Sequence, residues 1–140
     1  MNLNECINFL LSVSQHKVYK YFKGYLEEFE ITPAQYGVLN CLWAEGKVSP
    51  KRIGELLYLE APTVSGILDK MQKMNLIDRE IDLNNRRNVL VSSTEKANKL
   101  RDVIQAASSD MNKKVLQELD DQEIEALKKG LSKIIGTELS

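Results

Sequence analysis

The side chains able to do chemistry are few and scattered. His16 is the one histidine, and the two cysteines stand at positions 6 and 41. Such a distant pair is neither a disulfide framework nor a zinc knuckle, and it suits a reducing compartment. The chain has no Cys-x-x-Cys, no Gly-rich phosphate loop and no Gly-x-Ser-x-Gly elbow. Carboxylates are plentiful, but no spacing pairs two of them across a cleft. These absences argue against an enzyme and imply no metal and no cofactor. What remains is basic: the adjacent pair Arg86-Arg87 in the polar stretch Asp82-Leu83-Asn84-Asn85-Arg86-Arg87.

Composition sets the frame for that pair. The 140 residues are 43% hydrophobic and 28% charged, which fits one globular domain that needs no staple. A net charge of −1 rules out a uniformly basic nucleic-acid binder. Residues 47–96 carry nine Lys/Arg and seven Asp/Glu, a mild local excess of +2. The most apolar run, 7–13, is too short to cross a bilayer. Glu5 and the lack of a basic start imply no signal peptide, so a cytoplasmic protein without membrane partners is expected.

Periodicity supplies the elements. Leu3, Ile7, Leu10, Ser14, Val18, Tyr21, Tyr25 and Phe29 step by three and four, predicting a long helix over 2–29. Phe9, Leu11, Phe22 and Leu26 widen its apolar face, enough to meet a second subunit. Thr32-Pro33-Ala34-Gln35 is a capping box, and Gly46 a stop. Ser49-Pro50 opens a short helix that must turn at 58–60 before Ala61-Pro62 opens the next. Asn75 ends that helix in a left-handed conformation. Residues 76–81 and 88–92 read as strands of a hairpin with a basic tip. Thr94 caps a helix to about residue 119, and Asp120 with Glu123 caps a last one ending at Gly136. Trp43, Tyr36 and Cys41 are expected in the core.

Two capped helices joined by a three-residue turn lay the second helix into a DNA major groove, and a hairpin directly after it is a wing. The segments ITPAQYGVLNCLW, RIGELLYLEAPTVSGILDKMQKMNLIDREID and NRRNVLVSSTEKA, in that order, resemble the MarR family of winged helix-turn-helix transcriptional regulators. The resemblance implies a mainly α fold with a small β-hairpin wing: one MarR-like domain over 1–140, a DNA-binding lobe at 31–94, and dimerisation helices at 2–29 and 95–137. It implies a homodimer on a pseudo-palindromic operator of double-stranded DNA, acting as a repressor responsive to a small aromatic or anionic effector.

Carried over residue by residue, the recognition helix contributes Pro62, Thr63, Ser65, Gly66 and Lys70. The wing contributes Arg86 and Arg87, whose guanidiniums suit a narrow minor groove. Ser49 and Lys51 are phosphate contacts. The chain departs from the family at three places. Asn85 stands where an acid commonly precedes the wing arginines, Gly66 where many members have Arg, and Ser93 where Leu is usual. Gly66 and Asn85 support the alternative, a helical protein–protein adaptor on a winged scaffold without DNA binding. One branch of the family senses peroxide with a cysteine in the first helix. Aligned through Ile31-Thr32, that cysteine falls at Asn8, so Cys6 lies about 200° away around a helix, with no cation near it in sequence, and no redox role is expected. His16 and Tyr36 are the residues expected in an effector crevice between the dimerisation region and the DNA-binding lobe.

Overall fold

The computed structural model describes all residues 1–140. Seven helices and one hairpin follow in the order α1 (Ile7–Leu26), α2 (Pro33–Glu45), α3 (Pro50–Leu57), α4 (Ala61–Lys73), β1 (Ile77–Ile81), β2 (Val89–Ser93), α5 (Glu95–Lys99), α6 (Arg101–Val115) and α7 (Asp121–Ile135). The local stop and start signals act as their chemistry predicts. Thr32 Oγ1 accepts from Gln35 N–H while Thr32 N–H donates to Gln35 Oε1. Asp120 and Glu123 close the same box, and Thr94 Oγ1 accepts from Ala97 N–H. Gly46 (φ 79°) and Asn75 (φ 59°) take positive φ where α2 and α4 end.

Two long helices are interrupted where periodicity predicts continuity. The 2–29 helix divides into a 3-10 turn (Leu3–Glu5), an extended Cys6, α1, and a second 3-10 turn (Glu27–Phe29). The 94–119 helix divides at Leu100, whose N–H bonds the Ala97 carbonyl in the tighter three-residue step, and α6 stops at Val115. Apolar spacing survives such a step, so it leaves no mark in the pattern. β1 begins one residue later than expected and β2 is shifted by one residue, with Ile77 opposite Ser93 and Ile81 opposite Val89. Val48 adds a single antiparallel bridge to Val91, extending the hairpin's base towards α3.

One core holds the lobe together. Leu39, Ile53, Leu68, Met71, Ile77 and Val91 come from five different elements and are all fully buried. Leu26 at the end of α1 and Ile104 of α6 enter the same core. Trp43 joins it with its indole N–H donating to Asn98 Oδ1 (3.1 Å), which also accepts from Ser93 Oγ (2.8 Å). Ser93, in place of an apolar residue, thus fastens the hairpin base to α5. Tyr36 and Cys41 are only half-buried, a correction to the expected core. Burial and the nearby Glu45 push the Cys41 thiol pKa up.

The two ends of the chain remain uncovered. α7 buries no residue, and Leu127, Leu131, Ile134 and Ile135 stay exposed, as do Leu3, Ile7, Leu10 and Leu11 at the start. No helix is long and apolar enough to cross a membrane.

Candidate nucleic-acid interface

The turn between α3 and α4 depends on close backbone approach. Tyr58 adopts a left-handed conformation (φ 56°), and Leu59 N–H returns to the Gly54 carbonyl at 2.9 Å. A Cβ at Gly54 would lie 2.9 Å from the Leu59 carbonyl oxygen, so only glycine fits without opening the turn. α4 then buries Val64, Leu68 and Met71 and leaves Pro62, Thr63, Ser65, Gly66 and Lys70 exposed. Its start carries no side-chain cap, and the Ala61 and Thr63 N–H groups have no acceptor in the chain. Unpaired donors at a helix N-terminus favour an anion. A recess of about 590 Å³ opens between α3 and α4, lined in part by Lys51, Tyr58, Ser65 and Arg79.

Arg79 of β1 ties the wing to α4: its Nη2 donates to Asp69 and its Nε to Gln72 Oε1 (2.8 Å). Sequence reasoning missed these three residues. Their only signal is an Asp and a Gln three apart on one helix face, and nothing local shows that β1 folds back onto that face.

The wing loop is held by its own atoms. Asp82 N–H bonds the Asn88 carbonyl and Asn88 N–H the Asn85 carbonyl, while the Asp82 and Asn85 side chains accept from Asn84 and Arg87 N–H. Asn85 therefore acts on the Arg87 backbone (3.2 Å), where an acid could act equally well. Ser49 is half-buried and caps α3, its Oγ accepting from Arg52 N–H. Its hydroxyl keeps a proton to donate.

Within residues 31–94 the cations divide into two sets. Lys47 pairs with Glu80, Arg52 with Glu45 and Glu55, and Arg79 with Asp69. Lys51, Lys70, Lys73, Arg86 and Arg87 are exposed and make no ion pair. They lie on α3, on α4 and at the wing tip. Lys73 also escaped the sequence reading, although it sits three residues beyond Lys70.

The expected effector residues are less clearly joined. Tyr36 packs edge-on to Phe22 of α1 (5.1 Å) and donates to Gln105 Oε1, which α6 presents; Gln105 in turn donates to Asn40. His16 is exposed on α1, six residues before Phe22. Six residues turn a helix by about 240°, so His16 lies on a different face from the one that meets Tyr36.

A helix-turn-helix followed by a hairpin tied to its second helix defines a winged helix-turn-helix. Residues 31–89 match the model of the MarR family. The chain is 30% identical over 135 residues to the transcriptional regulator MgrA of Staphylococcus aureus, covering 96% of this chain and 90% of that one. It is 36% identical over 95 residues to the organic hydroperoxide resistance transcriptional regulator of Bacillus subtilis, covering 68% of this chain and 65% of that relative. The MepR–DNA complex of Staphylococcus aureus superposes with a TM-score of 0.86 at 25% identity, covering 94% and 97% of the two chains. CouR of Rhodococcus jostii bound to p-coumaroyl-CoA has the same fold (TM-score 0.87, 22% identity, covering 100% and 99%). The chain belongs to the MarR family of transcriptional regulators.

Proposed function

We propose that this regulator is a cytoplasmic, homodimeric repressor that places α4 in a major groove and the wing in the adjacent minor groove of a pseudo-palindromic operator. The observation that carries this reading is the division of the cations. Within the lobe Lys47, Arg52 and Arg79 are paired with carboxylates of the chain, while Lys51 of α3, Lys70 and Lys73 of α4, and Arg86 and Arg87 of the wing tip keep their full charge for phosphates. In this reading residues 31–94 form the DNA-binding lobe. Ser49, Lys51, Lys70 and the free N–H groups of α4 hold phosphates, Thr63, Ser65 and the bare backbone at Gly66 face base edges, and Arg86 and Arg87 enter the minor groove. That MepR of Staphylococcus aureus, a protein of the same fold, was solved in complex with DNA supports the DNA-binding reading. An adaptor would have no use for unpaired wing arginines.

Segments 2–29 and 95–137 form the dimer, because the exposed faces of α1 and α7 have nothing to pack on within one subunit. An obligate interface of this kind exceeds about 2,000 Å². Two recognition helices then reach successive major grooves only if they are spaced by about one DNA turn, roughly 34–36 Å. A small aromatic or anionic effector relieves repression by preferring a dimer with another spacing. The Tyr36–Gln105–Asn40 chain joins α2 to α6, which makes the region near Tyr36, without His16, the place to look for it.

Selection of duplexes from a random-sequence pool by the full-length protein tests the reading. It should recover an inverted repeat. Arg87→Ala should then bind that duplex more weakly, with a slope of log K against log salt smaller by about 2 per dimer. An unchanged affinity and slope for Arg87→Ala would remove the wing from the DNA interface.

A further inference from the structure

The wing carries more than charge. Residues directly opposite in an antiparallel pair share a face, and faces alternate along each strand. Ile77 and Arg79 of β1 and Val91 of β2 therefore lie on one face, the one that enters the core and grips α4. The last pair on that face, Ile81 opposite Val89, has run past the core and is 62% and 38% exposed. Leu83, in the loop beyond it, is 92% exposed. Three apolar side chains thus stand exposed at the distal end of a hairpin whose other outstanding features are the unpaired guanidiniums of Arg86 and Arg87. Exposed apolar residues that cluster, and are rimmed by charge, mark a contact surface.

The loop is already ordered for that contact. Five internal hydrogen bonds pin residues 82–88, and the Asp82 carboxylate is occupied with Asn84 N–H. Holding Leu83 outward therefore costs little further entropy on binding. The rim holds two unpaired guanidiniums against the single Asp82 carboxylate and is net positive, so the occupant is a polyanion that also offers apolar surface. The minor groove of duplex DNA fits both requirements, because its phosphates flank walls of deoxyribose carbon, and proteins that enter it commonly combine arginines with an apolar wedge.

We propose that Leu83, in the loop just beyond the exposed Ile81–Val89 pair, is a minor-groove contact that packs on the deoxyribose wall beside the entering arginine, an inference that rests on the DNA-binding reading above. The contact is apolar, so it contributes equally at every salt concentration, whereas the arginine contribution falls as salt rises.

The experiment measures binding of full-length variants to the duplex recovered from the random pool, by fluorescence anisotropy across a salt series. Leu83→Ser should weaken binding by about tenfold, displaced in parallel at all salt concentrations with the wild-type slope. Leu83→Met, which keeps an apolar side chain of similar volume, should bind within about twofold of wild type. An unfolding midpoint equal to wild type is expected for both, since the position is nearly fully exposed. If Leu83→Ser binds like wild type while Arg87→Ala is weakened, the DNA reading stands and the apolar contact is wrong. A reduced slope for Leu83→Ser, or a loss that Leu83→Met does not restore, also overturns it. If no duplex is recovered, or neither Leu83→Ser nor Arg87→Ala alters binding, the DNA reading of the wing falls and the contact falls with it.

Discussion

Two glycines in neighbouring helices should respond to the same substitution with opposite signs. Gly66 lies in the interior of α4, and a Cβ there would meet nothing within 4 Å. Replacing it by Ala removes backbone freedom from the unfolded chain at no steric cost, which stabilises a helix by about 0.5–1 kcal/mol per subunit. Gly54 in α3 offers the same propensity gain, but its Cβ would lie 2.9 Å from the Leu59 carbonyl oxygen. That oxygen belongs to backbone anchored by the Leu59 N–H bond to Gly54 and by the left-handed Tyr58, so it cannot yield as a side chain would. Overpacking costs about 1–3 kcal/mol, and a clash with fixed backbone belongs to the upper part of that range, about 2–3 kcal/mol, leaving Gly54→Ala destabilised by about 1–2 kcal/mol after a propensity gain of about 1 kcal/mol. Thermal unfolding followed by circular dichroism, at one protomer concentration, should move down by about 3–8 °C for Gly54→Ala and up by about 2–4 °C for Gly66→Ala. A Gly54→Ala protein as stable as wild type would refute the close-approach argument. A clear loss of stability for Gly66→Ala would show that its face is covered.

Cys6→Ser should leave the response of DNA binding to an organic hydroperoxide unchanged, even though the Bacillus subtilis relative is named for organic hydroperoxide resistance; if wild type releases DNA on treatment and the Ser variant does not, the redox assignment is wrong. The pH dependence of stability carries a mark of the Arg52–Glu45 pair. Hydrogen bonds from Arg52 hold the Glu45 carboxyl below the usual range. A depressed carboxylate contributes stability that is present above its unfolded pKa, about 4.3, and is lost as pH falls through its lower folded value. Glu45→Gln should therefore lose stability less steeply than wild type over that acid interval, and equal slopes in urea denaturation would contradict this.

The parts of the fold that were legible in the sequence are those governed by neighbouring residues. Thr32 with Gln35, Ser49 before Pro50, Thr94, Asp120 with Glu123, and the left-handed stop at Asn75 all act over one helical turn, so their residue types suffice. The helix-turn-helix and its wing followed from their order, and the family from three segments read together. The breaks at Cys6 and Leu100 were not legible, because a 3-10 step preserves the apolar stripe that revealed the helix. Tertiary structure decided that Arg79 and Lys47 are neutralised: Arg79 meets Asp69, and Lys47 meets Glu80, only after β1 folds against α4 and the segment before α3. It also decided that Asn98 serves both Trp43 and Ser93, and that Leu83 stands clear of any core. Each of these contacts joins residues of different elements, brought together only by how those elements pack. Their energy is paired across space, and a pattern read along one strand or helix contains no term for it.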